Sequence, residues 1–291
     1  MKEIVSQTIQ IQAGNNITRA QLQQDINAIF STGYFANVRA VSEETPEGVR
    51  IQFVVEPNPV LRAVKIQNNQ ALPQEVVNQS FNQQYGQILN LKQLQTGVQK
   101  LNKWYQDNGY ALAQVIDSPK INPDGTVTLQ VAEGIIEDIQ IQFVNPEGEE
   151  AKGKTQPYII TREMQLRPGD IFQRELAQKD LQRVFRLGIF QDINLKLNPA
   201  KDPRKVVLVV NVTEGRNFSV SPGGGYSSRS GLFAASSFNL RNLNGRNQSL
   251  GADIELSQRD LGFDVNYTDP WIAGDPYRTS YSVNGFRKRT F

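Results

Sequence analysis

The sequence contains no cysteine and no histidine among its 291 residues. Disulfides, thiolate nucleophiles, Cys/His zinc sites and every Ser-His-Asp or Cys-His catalytic arrangement are thereby excluded. An enzyme built from this chain would have to work with Asp, Glu, Lys, Tyr or Ser, or with a carboxylate-bound metal. An excess of one charge is missing as well. The 31 Lys and Arg against 29 Asp and Glu leave a formal net charge of +2, so no strong overall field favours nucleic acid. No run approaches the ~20 apolar residues of a membrane helix. Met1 to Gln10 carries no apolar signal-peptide core, so a targeting segment of that kind is not expected in this stretch. With 38% apolar and 21% charged residues, the composition suits a soluble chain of two ordinary domains or three or four small ones.

What the first 215 residues do contain is a repeat. Asp25 precedes Gly33 by eight residues, and Asp180 precedes Gly188 by eight. Between them, Ile26, Ile29 and Phe30 match Leu181, Val184 and Phe185 at i, i+3 and i+4. This spacing predicts one apolar helical stripe, read as ordinary core, closed by a glycine in the left-handed conformation. A looser copy runs from Val98 through Leu101, Trp104 and Tyr105 to Gly109. Earlier turn glycines stand at Gly14, Gly86 and Gly169, each after a shorter helical stretch: Lys2 to Gln10, Pro73 to Gln83 and Ile160 to Leu166.

After each closing glycine come two alternating runs, from Tyr34 to Val55, Ala111 to Val131 and Ile193 to Val212, the first pair joined by a Glu/Pro/Gly turn. Short strands precede the helices in the second and third copies, at Ala63–Gln67 and Ile139–Phe143. The first copy has no room for that strand ahead of Lys2, so the chain is expected to start inside a domain. Each unit reads strand–helix–helix–strand–strand, a small α+β domain with one modest core. Continuously apolar Val206–Val210 is expected to be a strand covered on both faces.

From Arg216 onward the helical period disappears, and 11 aromatics fall in 76 residues against 14 in the preceding 215. Leu250, Ala252, Ile254 and Leu256 alternate with Gly251, Asp253, Glu255 and Ser257; Leu261, Phe263, Val265 and Tyr267 do the same with polar partners. Ten-residue runs of this kind are the signature of a transmembrane β-barrel, although a soluble antiparallel sheet uses the same period. About five such runs cannot close a barrel. Gly223-Gly-Gly225 has no following Lys-Ser/Thr and no helix, so it is not a phosphate loop.

In combination, Asp25–Phe35, Asp180–Phe190, Asn242-Leu-Asn-Gly-Arg-Asn247 and Asp269-Pro-Trp-Ile-Ala-Gly-Asp-Pro276 resemble the outer-membrane protein assembly family of BamA and the chloroplast Toc channel, in its cyanobacterial branch. The resemblance implies an α+β chain of three tandem polypeptide-transport-associated (POTRA) domains with a β-α-α-β-β plan, the first lacking its first strand, then antiparallel strands of a truncated barrel. The expected bounds are 1–57, 58–134 and 135–215 for the repeats and 216–291 for the barrel strands. It also implies outer-membrane localisation with the repeats in the periplasm, unfolded outer-membrane proteins or precursor polypeptides as partners, room for a homo-oligomer, no nucleic acid, no cofactor and no enzymatic activity.

In that fold the strand after the second helix is a sheet edge, whose unpaired N–H and C=O groups can add a client strand. The candidates are Val38, Arg39, Ala40 and Val41; Ala113, Gln114, Val115 and Ile116; and Ile193, Asn194, Leu195 and Lys196. The plain alternative is a solvated edge protected by Arg39 and Lys196. Proline at Ala40 or Asn194 is expected to weaken client binding by removing a backbone donor. A two-partner-type secretion pore is the competing function; three repeats favour the assembly role. An Asp/Glu glycosidase needs two carboxylates across a cleft, and no copy adds such a pair.

Overall fold

The computed structural model describes residues 1–46 and 48–291; Glu47, in the first copy's strand-joining turn, lies outside them. The chain forms two compact units, Met1–Gly134 and Ile135–Phe291.

The first unit holds two of the repeats. In the first, α1 (Lys2–Thr8) and α2 (Arg19–Ser31) are followed by β1 (Phe35–Thr45) and β2 (Gly48–Pro57), a two-stranded antiparallel sheet. Thr18 starts α2 with a capping box, its hydroxyl accepting from the Gln21 N–H and so satisfying one of the orphan donors of the first turn. In the second, β3 (Ala63–Gln67), α3 (Gln74–Phe81), α4 (Leu91–Asp107), β4 (Gln114–Ile121) and β5 (Thr126–Ala132) give the sheet order β3-β5-β4. The pair β3·β5 is parallel and β4·β5 antiparallel. Val64, Val127, Leu129 and Val131 from this sheet pack on Val77, Phe81, Leu94, Leu101 and Tyr105 from the helices, all buried. Each such side chain contributes about 1.5–3 kcal/mol, enough for one small domain.

In the second unit, β6 (Ile135–Phe143), α5 (Pro157–Thr161), α6 (Arg174–Phe185), β7 (Phe190–Pro199) and β8 (Lys205–Glu214) repeat the plan with order β6-β8-β7. β8 is central and buried along most of its length, as its apolar run requires. The first helix of this copy lies at residues 157–161, ahead of the expected 160–166, because Pro157 occupies its first turn, where a missing N–H costs nothing.

The eight-residue Asp-to-Gly spacing has a physical cause. The buried Asp25 carboxylate accepts the Gln10 N–H (3.1 Å) and Ile11 N–H (3.0 Å); buried Asp180 accepts the Gln165 N–H (2.8 Å) and Leu166 N–H (3.0 Å). Each ties the segment after the first helix to the second helix. Gly33, Gly109 and Gly188 end those second helices with φ of +85°, +83° and +69°. The second copy puts Leu101 eight residues before its glycine and uses another carboxylate. Buried Glu133, just after β5, accepts the N–H groups of Gln70 (2.8 Å) and Ala71 (3.0 Å) and the Tyr105 hydroxyl (2.8 Å). Glu214 does the same in the third copy, accepting from Lys154 N–H (3.0 Å) and Thr155 N–H (2.6 Å).

Within the first unit the two repeats are joined through side-chain amides. Asn58 donates to the carbonyls of Gly33 (3.0 Å) and Leu89 (2.9 Å), and Asn90 donates to that of Thr32 (3.0 Å). Asn90 also caps α4 through the Lys92 N–H.

From Phe218 the chain forms one antiparallel sheet of five strands: β9 (Phe218–Ser227), β10 (Gly231–Leu243), β11 (Gln248–Ser257), β12 (Asp260–Asp269) and β13 (Tyr281–Thr290). The register puts Phe238 opposite Val220 and Ala252, and Ile254 opposite Phe263. One face therefore collects the apolar rows, including Val220, Leu232, Phe238, Leu250, Ile254, Phe263 and Val283. The other collects Ser219, Ser237, Asp253, Asp264 and Asn284.

Candidate functional sites at the open edges and the seam

β1, β4 and β7 each stand at a sheet edge. In β1, Val38 and Ala40 are half-buried while Arg39 and Val41 are exposed. In β7, Ile193 and Leu195 are half-buried while Asn194 and Lys196 are exposed. In β4, Gln114 is exposed and Val115 and Ile116 are half-buried. Ala113 corrects the expectation: it precedes β4, is buried, and spends its N–H on the Tyr110 carbonyl (3.0 Å). It is no edge residue.

Antiparallel ladders alternate, so one hydrogen bond fixes which N–H groups point outward. The Gly215 N–H donates to the Ile189 carbonyl (2.8 Å), which makes Phe190 and Glu214 a non-hydrogen-bonded pair. After the irregularity between Phe190 and Asp192, Ile193 and Leu195 turn their N–H groups to the open side and Asn194 turns its own toward β8. The Asn58 N–H to Tyr34 carbonyl bond (2.9 Å) sets the same phase in β1, where Val38 and Ala40 point outward. Proline at Ala40 thus acts on the edge, whereas proline at Asn194 acts on the β7·β8 ladder. Leu195 is the outward position.

The second copy differs. Val115 holds the position of Ile193, but its N–H donates to the Asn102 side chain on α4 (2.8 Å). The β4 register then breaks between Ile116 and Lys120, with Asp117 at φ +61°. A satisfied donor and a bulge are both means of blunting an edge. β4 is guarded; β1 and β7 are open, each with its one register shift ahead of the candidate residues, between Phe35 and Asn37 and between Phe190 and Asp192.

The helices beside the open edges carry a further difference. Phe30 on α2 and Phe185 on α6, both expected in the core, are 48% and 49% exposed. The buried stripes run through Asp25 and Ile29, and through Ala177, Asp180 and Val184, which leaves each phenylalanine on the rim of its helix. The second copy has exposed Gln106 three residues before Gly109. The open edges come with an exposed aromatic ring, the guarded edge with an amide.

A seam joins the third repeat to the five-stranded sheet. Asn242 donates to the Thr155 hydroxyl (2.8 Å), and the Gln156 N–H donates to the Gly245 carbonyl (2.9 Å). Gly245 has φ +70°, and a Cβ there would lie 2.0 Å from the Lys154 carbonyl oxygen. The β12–β13 loop is held by Trp271, flanked by the guanidinium groups of Arg162 (4.5 Å) and Arg278 (4.6 Å). Arg162 also donates to the Trp271 carbonyl (3.2 Å), and Arg278 to buried Glu163 (3.0 Å). Burial pulls Arg162 below its ordinary value, and Glu163 beside it opposes that pull. Among the described residues no cluster of carboxylates is arranged to hold a metal.

Two family profiles match this architecture. POTRA, described as surface antigen variable number repeat, matches residues 59–134 and 139–215; the Omp85 superfamily domain matches residues 242–290. The chain belongs to the POTRA-bearing Omp85 family. Among relatives of this Omp85 chain, Outer envelope protein 80, chloroplastic, of Arabidopsis thaliana is 35% identical over 286 residues, 96% of this chain and 39% of that protein. Outer membrane protein assembly factor BamA of Nitratidesulfovibrio vulgaris is 24% identical over 257 residues, 84% of this chain and 32% of its own length. The solved N-terminal domain of Omp85 from Thermosynechococcus elongatus is 50% identical with a TM-score of 0.70, covering 74% of this chain and 91% of that one. The chain spans about two-fifths of the length of the first curated relatives it matches. Its place is the outer membrane, with the repeats in the periplasm, and its five-stranded sheet resembles the start of the family's barrel.

Proposed function

We propose that the repeats are a non-catalytic receptor for unfolded outer-membrane proteins, which they bind by adding a client strand to β7 and β1 and pass to the barrel for insertion or translocation. The observation that carries this reading is the pair of open edges on β1 and β7, whose neighbouring helices α2 and α6 each carry an exposed phenylalanine, Phe30 and Phe185. Outward backbone groups supply affinity with little demand on client sequence, and an exposed ring on the neighbouring helix adds an apolar surface for client side chains. A receptor for many β-rich clients needs that combination. The relatives named as assembly factors support the assembly role. Export of one dedicated protein is the second reading, and it requires sequence preference that a backbone edge does not supply.

The test is fluorescence binding of unfolded peptides taken from several outer-membrane strands. Comparable weak affinities are expected across unrelated strands, with Leu195→Pro weakening binding about threefold to tenfold through one lost hydrogen bond. Tight binding of one peptide alone would favour export. Unchanged affinity in a folded Leu195→Pro, Ala40→Pro variant would refute strand addition. Turnover of peptide or glycan pools would refute the non-catalytic reading.

A further inference from the structure

The outward rows of the five-stranded sheet carry no charge along β9, β10 between Leu232 and Leu240, β11, and β12 from Leu261 to Tyr267; the row of β12 ends on buried Asp269 at the seam. β13 departs from that rule. Its apolar row begins Tyr281, Val283, Gly285 and then continues Arg287 and Arg289, opposite Phe263 and Leu261. Both arginines are exposed. Neither has a carboxylate partner among the described residues; the nearby ion pair is Lys288 with Asp260, from the other face (3.6 Å). Arg289 lies over the Phe291 ring (5.4 Å).

Their position along the strand matters as much as their face. The seam to the third repeat involves the β10–β11 turn and the β12–β13 loop, so Tyr281 marks the periplasmic end. Arg289 is eight residues further along, about 27 Å of strand, or about 21 Å of depth at a barrel-strand tilt of about 40°. The apolar band of an outer-membrane barrel is ~25 Å tall, so Arg289 lies near its far boundary, and Arg287, lower on the same row, extends toward that boundary along its own apolar stem. Arg229 and Arg259, in the turns at that same end, are joined by a hydrogen bond from the Arg259 guanidinium to the Arg229 carbonyl (2.9 Å). A charge on the lipid face is costly at mid-depth and nearly free at the boundary, where it can reach headgroups. The planar guanidinium fork matches phosphate oxygens two at a time.

We propose that Arg287 and Arg289, backed by Arg229 and Arg259, form a docking site for a phosphate-bearing anionic lipid headgroup at the outer rim of the membrane sheet. The proposal rests on the family placement of this sheet in the outer membrane. Bound lipid there would anchor the outer end of β13, the strand that ends the described sheet.

The chain has no cysteine, so a single introduced thiol reports one place. Leu261→Cys, in register with Arg289, and Leu250→Cys, at the other end of the same face, each carry an environment-sensitive fluorophore in the full chain taken up in mixed micelles of a mild nonionic detergent and phosphatidylcholine, which cover the apolar face without requiring the sheet to close. Brominated phosphatidylglycerol or brominated phosphatidylcholine is included as a minor quencher. The expected result at Leu261 is quenching by the brominated phosphatidylglycerol roughly threefold stronger than by the brominated phosphatidylcholine, with the two equal at Leu250. In Arg287→Gln, Arg289→Gln, which removes charge from the lipid face without adding bulk, the preference at Leu261 should vanish. Equal quenching in the unaltered chain, or a preference that survives the double substitution, overturns the site. Failure of both quenchers at both positions overturns the membrane placement of this face, a distinct outcome that takes the site with it.

Discussion

Replacing Asp180 by alanine strands the buried Leu166 N–H and releases the part-buried Gln165 N–H. They now lie 3.0 and 2.8 Å from the fully buried carboxylate, and only Gln165, itself exposed, is placed to turn to water. Each unmet donor costs about 1–3 kcal/mol. Arg183, also bound to Asp180 and partly exposed, regains some solvation and adds little. The expected loss is about 2–4 kcal/mol, against a typical total of about 5–15 kcal/mol for a domain. Asp25→Ala removes the same pair of contacts without an arginine, so its loss should be similar or slightly smaller. Asp180→Asn keeps one acceptor and should cost about half as much. Hydrogen exchange followed by mass spectrometry gives the loss domain by domain, because the most protected amides of β8 report global opening of the third repeat. A fall of less than about 1 kcal/mol in those amides would refute the idea that this carboxylate ties the segment after α5 to α6.

Three further outcomes are expected. Burial first, and then the hydrogen bond to Glu133, hold the Tyr105 hydroxyl far above its ordinary value of 10.0. The second repeat therefore keeps its full stability below pH 10 and loses it as the pH rises beyond, where only the unfolded chain releases this proton; Tyr105→Phe should abolish that alkaline loss in pH-dependent urea melts while costing about 1–3 kcal/mol at pH 7. Gly245→Ala drives a Cβ into the Lys154 carbonyl at positive φ and should open the seam at a cost of about 1–3 kcal/mol, seen as faster proteolysis between residues 150 and 156. Asn102→Ala frees the Val115 N–H and should raise capture of strand peptides by the second repeat about twofold to fivefold, measured by peptide binding with β1 and β7 blocked by proline.

The repeat and its glycines were legible because a helix end needs a residue that tolerates positive φ, and that demand leaves a fixed spacing. The alternating rows after Arg216 were legible because a strand's period is two. The reason for the repeated spacing from Asp25 to Gly33 and from Asp180 to Gly188 was not, since the partners of those carboxylates are backbone groups without a residue signature. Phe30 and Phe185 were misplaced because a two-turn apolar stripe does not distinguish the centre of a buried face from its rim. The guard on Val115 depends on one amide of α4 facing a strand 13 residues away. The Arg162–Trp271 stack joins residues 109 apart, and nothing local marks either as the other's partner.

Residue-resolved amide exchange on β7 during addition of an unfolded outer-membrane strand tests strand addition most directly. The Ile193 and Leu195 amides, open to solvent in the free chain, should gain protection together, while Asn194, already paired with β8, should not change. Binding without added protection at Ile193 and Leu195 would contradict it.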